Sequence, residues 1–146
     1  VVMKHIIAQL LRVSSRLSQI GSLLCLSIFF CFIGFDHFIN PTFYLNIMPQ
    51  EWPLKLEAVY ISGLFEIIGG ISILFSKLRK FAGWGLIALL IAVYPANIHM
   101  AVNYHLFPDI SLVMLYFRLA LQFVFVYWVF SVTLSKRNGP DLVING

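Results

Sequence analysis

Nine polar or ionisable side chains stand inside stretches that are otherwise apolar: Asp36, His37, Glu57, Glu66, Asn97, His99, Asn103, Arg118 and Gln122. A charged group in a lipid interior costs about 2.5–3.5 kcal/mol on insertion scales, which makes such residues functional-site candidates that need partners. The chemistry open to this set is proton transfer or the binding of a polar head. Arg118 and Gln122 are spaced i, i+4 and share one helix face. Glu66 shares its face with Ser62, Gly63, Gly69 and Gly70, and small residues on a face let a neighbouring helix approach. Glu66 therefore points inward, and Glu57, nine residues earlier, faces elsewhere. At 1.5 Å per residue, Glu66 lies roughly 18 Å from the outer end of its helix, Arg118 roughly 12 Å, Gln122 roughly 18 Å and Asn97 about 10 Å. These depths predict an ion pair between Glu66 and Arg118. It either sets helix register or belongs to a proton- or substrate-handling site. The wider polar cluster is His37, Glu66, Asn97, His99, Arg118 and Gln122, open to the outer side.

The elements that must carry these residues follow from hydropathy. The 146 residues are 60% hydrophobic and 11% charged, against about a quarter charged in soluble domains. About 20 apolar residues cross a hydrocarbon core. Spans are expected near residues 20–39, 54–76, 81–104 and 110–134. Residues 1–19 form a partly amphipathic lead-in, where Ile6, Ile7, Leu10 and Leu11 could lie along a membrane surface, and 135–146 form a tail. Met3 is a candidate initiator. The expected fold class is all-α, a four-transmembrane-helix bundle.

Charge sets its direction. Lys4, Arg12 and Arg16 precede the first span, Lys77, Arg79 and Lys80 separate the second from the third, and Lys136 and Arg137 follow the fourth. The other two connections hold only Lys55 at a margin. Positive-inside places both termini and the middle loop in the cytoplasm. Tyr44, Trp52 and Tyr104 then mark the outer margin, and Trp84, Tyr127 and Trp128 the inner one. The expectation is a multi-pass protein of a bacterial inner membrane. The net charge of +4 is accounted for by these flanks, so no nucleic-acid partner is expected.

Other chemistries find little support. Cys25 and Cys31 are six residues apart on different faces, roughly 9 Å along the axis, beyond disulfide reach. His37 and His99 lack the spacing of a metal pair, so no metal is expected. Nothing around them argues for a haem. No phosphate loop or nucleophile elbow is present. Pro95, within Tyr94-Pro95-Ala96-Asn97, predicts a kink whose freed carbonyl Asn97 or a neighbouring helix can satisfy.

Four motifs occur in order along the chain: Gly34-Phe35-Asp36-His37-Phe38 with Pro41, Tyr44 and Met48-Pro49; Ser62-Gly63-Leu64-Phe65-Glu66 with Gly69-Gly70; Pro95-Ala96-Asn97-Ile98-His99-Met100; and Arg118-Leu119-Ala120-Leu121-Gln122. Together, from about Gly34 to Trp128, they resemble the DoxX-like family of small integral membrane proteins. The resemblance implies a four-helix membrane bundle linked to membrane redox systems, some relatives being associated with thiosulfate–quinone oxidoreduction. The expected function is an accessory component that binds a lipophilic, quinone-like molecule, with the isolated chain not itself an enzyme. A quinone is the candidate cofactor. The lipid bilayer, a membrane redox partner and a second copy of the chain are the candidate partners. Two alternatives stay open: a catalytic membrane oxidoreductase subunit, and a membrane-protein assembly or chaperone factor.

Overall fold

The computed structural model describes residues 2–135, and these form five α-helices and no strand. The order is α1 (Val2–Ile39), α2 (Pro41–Ile47), α3 (Lys55–Ser72), α4 (Ser76–Val102) and α5 (Leu112–Thr133), with a 3₁₀ turn at Tyr104–Leu106. Three helical stretches are long and apolar enough to cross a membrane: Met3–Ile39, Ser76–Val102 and Leu112–Thr133. α3 has only 18 residues, and Lys55, Glu57 and Glu66 among them leave it no comparably uncharged stretch. Phe32, Phe65, Phe81, Ile91, Val113 and Phe123 lie on the outside of the bundle. So much exposed apolar surface is foreign to a water-soluble monomer and suits a membrane protein.

The helix ends have local causes. α1 runs unbroken through the expected lead-in and stops at Asn40-Pro41, where Pro41 opens α2. The side chain of Ser111 caps α5 by accepting from the Met114 amide at 3.2 Å. α3 begins after Pro53, at Leu54 with φ 54°, a left-handed conformation that an L-residue adopts at some cost.

The expected loop around Lys77, Arg79 and Lys80 is instead the first turn of α4, and the connection from α3 is the tight turn 73–75. Arg79 explains why. It is buried, its Nε donates to the Ile73 carbonyl at 2.8 Å and its guanidinium also to that of Leu74 at 3.4 Å. Carbonyls at the end of α3 that the helix leaves unmet are thereby satisfied. The second expected span, 54–76, shortens accordingly. Lys136, Arg137 and the tail beyond Ser135 lie outside the described residues.

α1 packs along α3, α3 on α4, and α4 on α5. α5 returns to α1 where Phe125 stacks on Phe29 at 4.5 Å and Trp128 Nε1 donates to Ser22 Oγ at 2.7 Å. Two apolar clusters result. One, including Leu23, Leu26, Phe30, Ile73, Leu86 and Val129, fills the end that carries the α3–α4 turn. The other, Ile47, Met100, Ala101 and Leu115, joins α2 to α4 and α5 at the opposite end.

The α1–α3 seam depends on two glycines. A Cβ on Gly34 would lie 2.6 Å from the Gly63 carbonyl oxygen, and one on Gly63 would lie 2.7 Å from the His37 Cβ. Replacing Gly63 by Val is expected to destabilise the fold by about 1–3 kcal/mol through overpacking. Gly21→Ala is the control, because nothing lies within 4 Å of a Cβ there. Thermal midpoints in detergent compare the two, with a clear fall for Gly63→Val and none for Gly21→Ala.

Candidate functional site

Between the two apolar clusters the helices part around a cavity of about 690 Å³. Its walls are mostly apolar, with Phe29, Phe30, Leu121 and Phe125 among them. Five of the six residues picked from the sequence line it: His37, Glu66, Asn97, Arg118 and Gln122. α1 brings His37, α3 brings Glu66, α4 brings Asn97, and α5 brings Arg118 and Gln122.

His99 is not among the lining residues. Its Nδ1 faces the Ile47 carbonyl at 3.1 Å, and its own carbonyl accepts from Asn103 Nδ2 at 2.9 Å. It fastens the end of α2 to α4, and so belongs to the scaffold of the cavity.

The expected Glu66–Arg118 ion pair is not formed. Glu66 Oε2 lies 3.3 Å from His37 Nδ1, and Arg118 donates to Asn97 Oδ1 at 3.2 Å. Helical depth put the two charges within reach, but depth does not say which helix stands between them. α4 supplies Asn97 on the line Arg118 takes, and α1 presses His37 against α3 at the glycine seam.

Asn97, Arg118 and Gln122 form a directed chain. Arg118 donates to Asn97, Asn97 Nδ2 donates to Gln122 Oε1 at 2.6 Å, and Gln122 Nε2 donates to the Leu90 carbonyl. Leu90 is one residue before Ile91, whose carbonyl Pro95 leaves without its helical donor. The neighbouring helix therefore braces the backbone beside the proline, one position before the freed carbonyl itself. Each amide donates once and accepts once, so their orientations are fixed by the network.

The opposite wall is built from α1 and α2. The His37 ring stacks on Tyr44 with centroids 3.7 Å apart. Its Nδ1 lies 2.9 Å from the Ile33 carbonyl, so the tautomer with hydrogen on Nδ1 suits both that oxygen and Glu66. Tyr44 donates its hydroxyl to Asp36 Oδ2 at 2.7 Å, and Asn40 Nδ2 donates to Oδ1 at 2.5 Å. Burial first, and the Asp36 carboxylate second, push the Tyr44 hydroxyl well above the usual phenol range, so it stays a donor. Arg118 lies 5.9 Å over the Phe43 ring.

Sequence reasoning took Tyr44 for a marker of the membrane margin. The signal that would have placed it is the spacing Asp36, Asn40, Tyr44, four residues each time, continued across the α1–α2 break. Cys25 and Cys31 are free thiols, and Cys31 leans toward the Ile67 carbonyl at 3.9 Å.

Gln122→Leu would strand the Asn97 amide. A loss of about 1–3 kcal/mol is expected, the usual cost of a buried polar group left unpaired. The pair Asn97→Leu with Gln122→Leu should lose less than the sum of the two single changes, because the groups are in contact. Unfolding in detergent checks both, and strict additivity would mean that the amides do not act as one chain.

No curated protein and no solved structure matches the chain. A family model described as a domain of unknown function, DUF8561, matches residues 26–133. That stretch takes in every residue lining the cavity, from Phe29 to Phe125. By that match, which covers well over half of its length, the chain belongs to the DUF8561 family.

Proposed function

We propose that the chain is a four-span membrane protein with both ends in the cytoplasm, and that its cavity binds a lipophilic, quinone-like molecule as an accessory part of a membrane redox system. The observation that carries the ligand reading is the cavity itself. Its volume of about 690 Å³ is that of a small-molecule site, and its apolar walls converge on a few placed polar groups. An aromatic and aliphatic lining suits a ring and a tail, and Arg118, Glu66 and their neighbours suit a polar head.

The fourth span in this reading is α3. Its 18 residues rise about 27 Å, close to the hydrocarbon thickness. Glu57 is exposed near one end, Lys55 sits at the first position, and Glu66 turns into the bundle, so none of the three charges need meet lipid at depth. The lead-in with Lys4, Arg12 and Arg16 and the turn with Lys77 and Lys80 fall at the same end of the bundle, as a cytoplasmic face requires. The link to redox chemistry and to a bacterial inner membrane rests on the resemblance to DoxX-like proteins.

Two outcomes are expected. Single cysteines placed at Asn46 and at Lys77, with Cys25 and Cys31 replaced by Ala, should label differently in intact cells. An impermeant maleimide reaches position 46 and spares position 77 until the membrane is opened. Labelling of both positions from outside would remove the four-span reading. Secondly, protein purified in mild detergent should carry or take up a short-chain quinone analogue, detected by native mass spectrometry. Arg118→Met should weaken that uptake by about tenfold, the value of one lost hydrogen bond to a charged group. Wild-type protein that carries no lipophile and accepts none would end the ligand reading.

A further inference from the structure

The acidic and the basic side chain of the cavity do not answer each other. Glu66 is 6% exposed and makes no hydrogen bond, its one polar approach being the 3.3 Å contact with His37. That nitrogen is already engaged by the Ile33 carbonyl at 2.9 Å. Arg118 gives one N–H to Asn97 and rests on the Phe43 ring, while a guanidinium carries five N–H donors. Both side chains line the same cavity, and Tyr44 lies within the electrostatic reach of each. Polar groups buried without partners are costly, so an occupant that meets both completes the cavity.

The pairing restricts what that occupant can be. A head that is only cationic is repelled by Arg118, and a head that is only anionic gains nothing from Glu66. A zwitterion meets both but must leave its water to do so, at a high cost. A neutral head with acceptors alone satisfies Arg118 but meets Glu66 only in its protonated form, whereas a hydroxyl meets either form. A neutral head with a hydroxyl at one side and an oxygen at the other satisfies both ends without bringing charge into the bundle. Resting on the lipophile reading above, we infer that the cavity selects an amphiphile of the dihydroxyarene class. One hydroxyl donates to Glu66, and the other oxygen accepts from Arg118. The carbonyl-only form of the same ring fills the same space but loses that contact whenever Glu66 is ionised, so the reduced form of a quinone-like ligand is the preferred one.

The test uses purified full-length protein in detergent under argon. Three probes of nearly equal size are compared: a decyl-substituted benzoquinol, the matching benzoquinone, and the dimethyl ether of the quinol. Trp52 lines the cavity, so quenching of tryptophan fluorescence can report binding. The quinol should bind on the order of tenfold more tightly than either of the others, since only it offers a donor to Glu66. Glu66→Gln should close the gap between quinol and quinone to about twofold, because its amide donates as well as accepts. Arg118→Met should weaken both. A quinone or an ether that binds as well as the quinol overturns the inference and leaves the lipophile reading standing. A gap that survives in Glu66→Gln overturns the assignment to Glu66. Failure of all three probes to bind wild-type protein removes the lipophile reading and this inference with it. If the variants do not fold, the three-way comparison on wild-type protein decides alone.

Discussion

The approach of α1 to α3 at Gly34 and Gly63 governs what the rest of the bundle can do. No side chain separates the two backbones there, and the His37 Cβ lies in the space a Cβ on Gly63 would need. The seam therefore sets the distance at which His37 meets Glu66, one turn further along α3. It also anchors α3 on α1 along a line continued by Gly70, which packs beside Phe30 and Ser27. In lipid no hydrophobic force drives helices together, and close contact of small residues is one of the few available substitutes. A polar group as costly as Glu66 can be placed beside such a seam because the seam holds without it.

The second constraint is that every polar group withdrawn from water must find a partner. α4 and α5 meet it with the chain from Arg118 through Asn97 and Gln122 to the Leu90 carbonyl. α1 and α2 meet it with Asp36, Asn40 and Tyr44. Within the first of these two networks, Arg118 still has N–H donors to spare. Glu66 stands between them and joins neither, and its Oε2 is buried without a hydrogen bond.

Much of this could be read from residue order. α1, α4 and α5 are long and apolar enough to cross a membrane, and α4 and α5 fell within about five residues of the spans expected, whereas α1 begins far earlier, at Val2. The small-residue face of α3 pointed Glu66 inward, and the i, i+4 pair on α5 placed Arg118 and Gln122 together. Partners were harder. Helical periodicity gives the direction of a side chain from its own axis but not the rotation of its neighbours, so Glu66 was assigned to Arg118 when His37 was nearer. α2 was missed because seven residues after a proline carry too little periodicity to register. Arg79 was counted as a topological charge, since nothing local shows that its guanidinium turns back on the end of α3. The termini, the fourth span and the ligand were expectations of the sequence that the helices accommodate without testing.

α1 has a mechanical consequence. Its 38 residues form one rod of about 57 Å, nearly twice the hydrocarbon thickness. Only the half beyond about residue 20 is gripped by other helices, and the side chains of residues 3–18 are exposed. The grip lies within a few turns of His37, and the free arm behind it is roughly 27 Å long. Such a rod behaves as a lever. A tilt of about ten degrees at the gripped half would carry the free tip through roughly 5 Å, so a change in how α3 holds α1 is felt at the far end of the same helix.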